Sequence, residues 1–87
     1  MNNESLQTLK RRDAEELLGV KTSTFYEHQR NGVLPPPVKL FGGNASGWLV
    51  SELKAAKAAM IAGESKESIQ ALIKSLVNKR KELAPTV

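Results

Sequence analysis

Residues 17–32 read LLGVKTSTFYEHQRNG, and this stretch decides the fold. Leu17 and Leu18, with Ala14 before them, lie on one face of a short helix that begins near Leu9. Asp13, Glu15 and Glu16 sit early in that helix, where acids suit the positive end of its dipole. Gly19 ends it, because glycine accepts the left-handed conformation that closes a helix. Thr22, Ser23 and Thr24 are good N-cap residues and open a second helix through Phe25, Tyr26, His28 and Arg30. Asn31–Gly32 stops it. Two short helices joined by about three residues with a glycine in the turn have the spacing of a helix-turn-helix.

Downstream, Val33–Leu34–Pro35–Pro36–Pro37 is forced into an extended path by its prolines. Val38–Lys39–Leu40–Phe41 reads as a strand. Gly42–Gly43–Asn44 reads as a hairpin turn, and Ala45–Ser46–Gly47–Trp48 as the return strand. The pair forms a small β-ribbon, a wing. Ser51 is expected to cap a third helix with Glu52 in its first turn and Leu53, Ala56 and Met60 facing inward. Gly63 ends that helix, and Ser65 caps a fourth. The fold class expected is mainly α: a winged helix-turn-helix with a short β-hairpin wing and an additional C-terminal amphipathic helix. The organisation expected is a flexible arm over 1–8, the winged domain over 9–63, the extra helix over 64–84 and a tail over 85–87.

Composition narrows the function. With 87 residues and 40% hydrophobic content, the chain can bury a modest core but not a deep catalytic cavity as well. It has no cysteine, so disulfides and thiolate metal sites are excluded, and its one histidine, His28, cannot build a metal site alone. No nucleophile motif or phosphate-cradling loop is present; neither catalysis nor a cofactor is expected. The first residues lack a signal-peptide layout, and no apolar run spans a bilayer, so a cytoplasmic protein without membrane contact is expected. The formal net charge of +4 and pI near 9.6 suit a nucleic-acid partner. Residues 1–50 carry six basic and five acidic side chains, net +1; residues 51–87 carry seven and four, net +3.

The stretch from about Leu9 to Leu53 resembles the AlpA family of phage-type transcriptional regulators and excisionases, a winged-helix group related to the MerR-like DNA-binding fold. Its marks are Leu17–Leu18–Gly19–Val20, Ser23–Thr24–Phe25–Tyr26, Asn31–Gly32, Leu34–Pro35–Pro36–Pro37–Val38–Lys39–Leu40, Gly47–Trp48 and Ser51–Glu52–Leu53. The resemblance implies sequence-specific binding of double-stranded DNA, with the second helix in the major groove and the wing on the neighbouring backbone. It also implies a role in regulating phage or mobile-element genes, or in directing an integrase toward excision. This chain has Thr22, Glu27, Asn44 and Leu49 where the family usually carries arginine. Arginine is a preferred ligand of guanine and phosphate, so its absence implies weaker contact.

The DNA-contact residues expected are Arg11 and Arg12 at the start of the first helix, Lys21 in the turn, and Thr22, Ser23, Thr24, Tyr26, Glu27 and Arg30 in the second helix. Lys39 and Asn44 add to them from the wing. Arg11 and Arg12 oppose the helix dipole where they stand, which favours a phosphate role. Phe25, Val38, Leu40 and Trp48 are expected in the core, with Trp48 anchoring the wing. His28 is expected at the surface.

The last helix carries Ile69, Leu72, Ile73, Leu76, Val77 and Leu83 as a continuous stripe, about 18 residues or ~27 Å long. Such a stripe is normally buried. It either folds back on its own domain or docks a second copy of the chain or another protein; the second is the expectation. A dimer would bring paired recognition helices to DNA half-sites. The tail Lys79–Arg80–Lys81 is placed to reach phosphates. The rival functional reading is a protein-interaction adaptor with a winged-helix fold and weak or no DNA binding.

Overall fold

The computed structural model describes residues 6–39 and 46–83, the side chain of Leu83 excepted. A two-residue strand β1 (Thr8–Leu9) precedes helices α1 (Arg11–Leu18) and α2 (Thr22–Arg30). Strands β2 (Val38–Lys39) and β3 (Ser46–Leu49) follow the proline run. Then come α3 (Val50–Ile61), α4 (Lys66–Asn78) and the single turn α5 (Arg80–Leu83). The protein is mainly helical, with a β wing and an additional C-terminal helix, as the sequence predicts.

Local signals set several helix ends. Gly19 sits at φ 73°, and its N–H donates to the carbonyls of Glu15 and Glu16. A Cβ there would meet nothing within 4 Å, so the backbone conformation, not space, selects glycine. The Ser65 side chain accepts from the Ser68 N–H at 3.1 Å, the expected cap of α4.

Two other expected caps are absent. The N-cap of α2 is Lys21, with no side-chain cap bond, and Thr22 lies inside the helix with its hydroxyl turned to Glu15. The N-cap of α3 is Leu49, the last residue of β3. The strand runs straight into the helix, so Ser51 falls in the first turn. The freed Val50 N–H is taken by the Gln7 carbonyl at 2.9 Å.

The sheet order is β1-β3-β2, antiparallel throughout. Thr8 pairs with Leu49 and Leu9 with Trp48; Val38 pairs with Gly47 and Lys39 with Ser46. Thr8 and Leu9 were expected at the end of an arm and the start of a helix. They form a strand instead, because Gly47 leaves room for Thr8: a Cβ on Gly47 would lie 2.9 Å from the Thr8 Cβ. Leu40, Phe41, the expected turn Gly42–Gly43–Asn44 and Ala45 lie outside the described residues.

The core gathers Ala14, Phe25, Val33, Leu34, Trp48, Leu53, Ala56, Ile69 and Ile73. Trp48 stands edge-on to Phe25 at 5.3 Å between ring centroids, anchoring the wing to α2 as expected. Val38 is half-buried. Helix α3 is apolar on more than one side: Val50, Leu53 and Ala56 are buried, and Ala59 and Met60 pack against the core. It therefore needs cover from two neighbours, and α1 and α4 supply it.

That need corrects the reading of the C-terminal stripe. Ile69 and Ile73 of α4 are core residues, Leu76 and Val77 pack against the core, and Leu72 is half-buried. Ile69, Ile73, Leu76 and Val77 thus cover the open side of α3 in their own chain, while the Leu83 side chain lies outside the described residues. The continuous long helix is also interrupted: α4 spans 13 residues and breaks at Lys79 before α5. Among the described residues, no helix is long and apolar enough to cross a membrane.

Candidate nucleic-acid interface

Helix α2 has two unlike sides. Phe25 is buried, and Thr24, His28 and Gln29 are half-buried. Thr22, Tyr26 and Arg30, one helical turn apart in succession, are exposed, as are Ser23 and Glu27 beside them. Lys21 precedes them, also exposed. Six of the expected contact residues thus share one surface; Thr24 is turned partly inward.

The N-terminus of α2 points open hydrogen-bond donors outward. Its first intrahelical bond runs from the Phe25 N–H to the Lys21 carbonyl at 2.8 Å. The N–H groups of Thr22, Ser23 and Thr24 therefore have no helical acceptor. No side chain caps them. Such a terminus suits phosphate oxygens, through both the N–H groups and the dipole.

Arg11 is placed differently from the expectation. Its Nη1 donates to Glu15 Oε2 at 2.5 Å, one turn further along α1, and lies 3.4 Å from Thr22 Oγ1. The Thr22 hydroxyl donates to Glu15 Oε1 at 2.9 Å, and the guanidinium lies 6.0 Å from the Tyr26 ring centroid. Glu15 thus explains locally a charge that opposes the helix dipole. Burial pushes the Glu15 pKa up, but the hydrogen bonds from Thr22 and Arg11 and the charges of Arg11 and Arg12 outweigh it; the carboxyl sits below its ordinary range. The hydrogen bond and charge of Glu15 hold Arg11 more firmly protonated in return. Arg12 is exposed.

In the wing, Lys39 is exposed on β2. Asn44 lies outside the described residues.

Three long side chains outside the helix-turn-helix are tied to carbonyls around it. Lys57 Nζ donates to the Leu17 carbonyl at 2.7 Å, and Gln70 Nε2 to the Asn31 carbonyl at 2.7 Å. These satisfy acceptors at the C-terminal ends of α1 and α2. Arg80 donates from Nε to Glu52 Oε2 at 2.9 Å, and from Nη2 to Glu52 Oε1 at 2.7 Å and the Pro36 carbonyl at 2.6 Å. Arg80 was expected, with Lys79 and Lys81, to reach phosphates. Instead it neutralises Glu52, which is only 3% exposed. Lys79 and Lys81 are exposed. Sequence reasoning missed this pair, because Glu52 lies between Ser51 and the Leu53–Lys54 pair and nothing nearby in the sequence marks it as buried.

Among the described residues, no group of three or more His, Cys, Asp or Glu side chains is placed to hold a metal ion. The grooves are shallow and mainly aliphatic. One of about 220 Å³ is lined by Leu18, Val20, His28, Leu34, Lys57, Met60 and Ile61.

Fold and site together define a class: a winged helix-turn-helix with a polar outer face on its second helix. The chain belongs to the AlpA family, described as prophage CP4-57 regulatory protein (AlpA), whose profile matches residues 7–55, 49 of the 87. Membership makes it a phage-type regulatory protein of a DNA-binding family, not a member of an enzyme family. No curated protein and no solved structure matches it.

Proposed function

We propose that this protein is a sequence-specific double-stranded DNA-binding regulator of a phage or mobile element, acting on transcription or, with an integrase, on excision. The observation that carries this reading is the outer face of α2: five exposed polar or aromatic side chains beside an uncapped N-terminus, within a family of regulatory proteins. In this reading α2 lies in the major groove. Thr22, Ser23, Thr24 and Lys21 hold a phosphate at its N-terminus, and Tyr26, Glu27 and Arg30 face the base edges. Arg12 reaches backbone from α1, and Lys39 and Asn44 reach it from the wing. Arg11 supports this surface through Glu15 and Thr22 and contributes its charge at short range.

The exposed cations of this surface are Arg12, Lys21, Arg30 and Lys39. With Arg30 at the bases, the three cations placed at phosphates, Arg12, Lys21 and Lys39, imply a slope of log K against log[salt] of about −3. Anisotropy of labelled duplexes against salt, after selection of bound sites from random duplex, measures both slope and preference. A flat salt dependence with equal affinity for selected and scrambled duplexes would sink the reading. The adaptor alternative drew its support from the missing family arginines and from a free C-terminal stripe, and the second support is weaker with Ile69 and Ile73 in the core.

A further inference from the structure

Among the described residues, the two strands of the wing pair Val38 with Gly47 and Lys39 with Ser46. On its other edge β3 is supported by β1, but β2 is an outer strand with β3 as its sheet neighbour. Something else must fix where β2 begins.

Arg80 meets that need. Pro36, whose carbonyl it binds at 2.6 Å, lies two residues before β2. Glu52, whose two oxygens it binds at 2.7 and 2.9 Å, lies three residues after β3. One planar guanidinium therefore joins the entry and the exit of the hairpin. Both acceptors are rigid. Pro36 stands in a run of three prolines with restricted backbone angles. Glu52 is nearly fully buried in the first turn of α3, where an unpaired carboxylate is strongly disfavoured. Arginine suits the task because its fork reaches carboxylate and carbonyl at once, which a lysine ammonium does not reproduce.

We infer that Arg80 is a positioning residue for the wing: from a C-terminal turn outside the family-matched stretch, it fixes the root of β2 against α3 and so sets where Lys39 meets DNA. The DNA half of this inference rests on the function proposed above. The structural half does not.

The test uses the full chain. Arg80→Met leaves Glu52 unpaired and is expected to fold poorly, so the main variant is the double substitution Glu52→Gln with Arg80→Met, which removes both charges together. Hydrogen exchange without DNA is the first readout. Amides of 38–39 and 46–47 are expected to exchange about tenfold faster, while those of α1 and α2 keep their protection. Unchanged wing amides, or a uniform rise through all helices, overturns the inference, since a merely stabilising residue acts on the whole fold. The second readout is duplex affinity. Lys39→Ala is expected to weaken binding in the wild-type background and to have little further effect in the double variant. An equal loss in both backgrounds also overturns it. If the wild type binds no duplex, the proposed function fails, and the exchange result alone still decides whether Arg80 holds the wing.

Discussion

Helix α2 keeps one residue, Phe25, fully in the core and turns five side chains to solvent. The α4–α5 segment sinks Ile69 and Ile73 into that core and ties Gln70 and Arg80 to carbonyls of the N-terminal half. The two regions have opposite commitments. What α2 leaves unmade, its caps and outer hydrogen bonds, is available to a partner. What α4 and α5 make, they make within the chain. A charge count places most of the positive excess in residues 51–87. Yet Lys57 and Arg80, two of those charges, are engaged in holding the fold. The free polar face lies where the net charge is lowest.

The largest test of this contrast is Ile73→Ala. It truncates a side chain that is only 5% exposed and is expected to cost about 2–5 kcal/mol, read from urea unfolding. A loss below ~1 kcal/mol would detach α4 from the core and restore a free docking stripe. Tyr26→Ser, on the exposed side of α2, is expected to change stability far less.

Gly47→Ala comes next. The added methyl would meet Thr8 at 2.9 Å, and overpacking of this kind costs about 1–3 kcal/mol. Thr8→Gly in the same chain is expected to restore part of the loss. Without that rescue, the close approach of β1 would not be why residue 47 is glycine.

Arg30→Ala reverses the pattern. Stability is expected to move by no more than about 0.5 kcal/mol, because the side chain is exposed. Affinity for a selected duplex is expected to fall by about 1–3 kcal/mol, with scrambled duplex affected less. Equal affinity of mutant and wild type for the selected duplex removes Arg30 from the contact surface.

The same contrast explains what could be read in advance. Gly19, Asn31–Gly32 and the proline run are local signals, so α1, α2 and the turn between them were legible. The period of α2 separates Phe25 from Thr22, Tyr26 and Arg30 without any knowledge of neighbours. Trp48 was legible as an anchor because a large ring must be buried somewhere. The rest depends on distant partners. Strand β1 exists because Gly47, 39 residues beyond Thr8, has no side chain. Glu52 and Arg80 are 28 residues apart, and nothing local marks either as paired. The destination of the α4 stripe depends on the second apolar side of α3, which is visible only once α1 has covered the first. Arg11 sits between the two cases: Glu15 was in view one turn away, but the part played by Thr22 needed the angle between α1 and α2.

The smallest expected effect tests the tie between α1 and α2 at the Thr22 hydroxyl. Glu15 accepts from both Arg11 and Thr22, and its folded pKa lies below the ordinary carboxylate value. A carboxyl depressed on folding adds stability at pH above its unfolded pKa, and that stability is lost as pH falls through the folded value. The acid limb, from about pH 5 downward, should therefore be steeper in the wild type than in Glu15→Gln, with the curves levelling together above it. Because the Arg11 side chain is 40% exposed, the difference should be modest and shrink with added salt. Thr22→Val removes one of the two hydrogen-bond donors and should give an intermediate slope. Parallel curves for all three proteins would mean that the contact between α1 and α2 at Thr22 carries no stability, and that α2 is held by Phe25 and its C-terminal end alone.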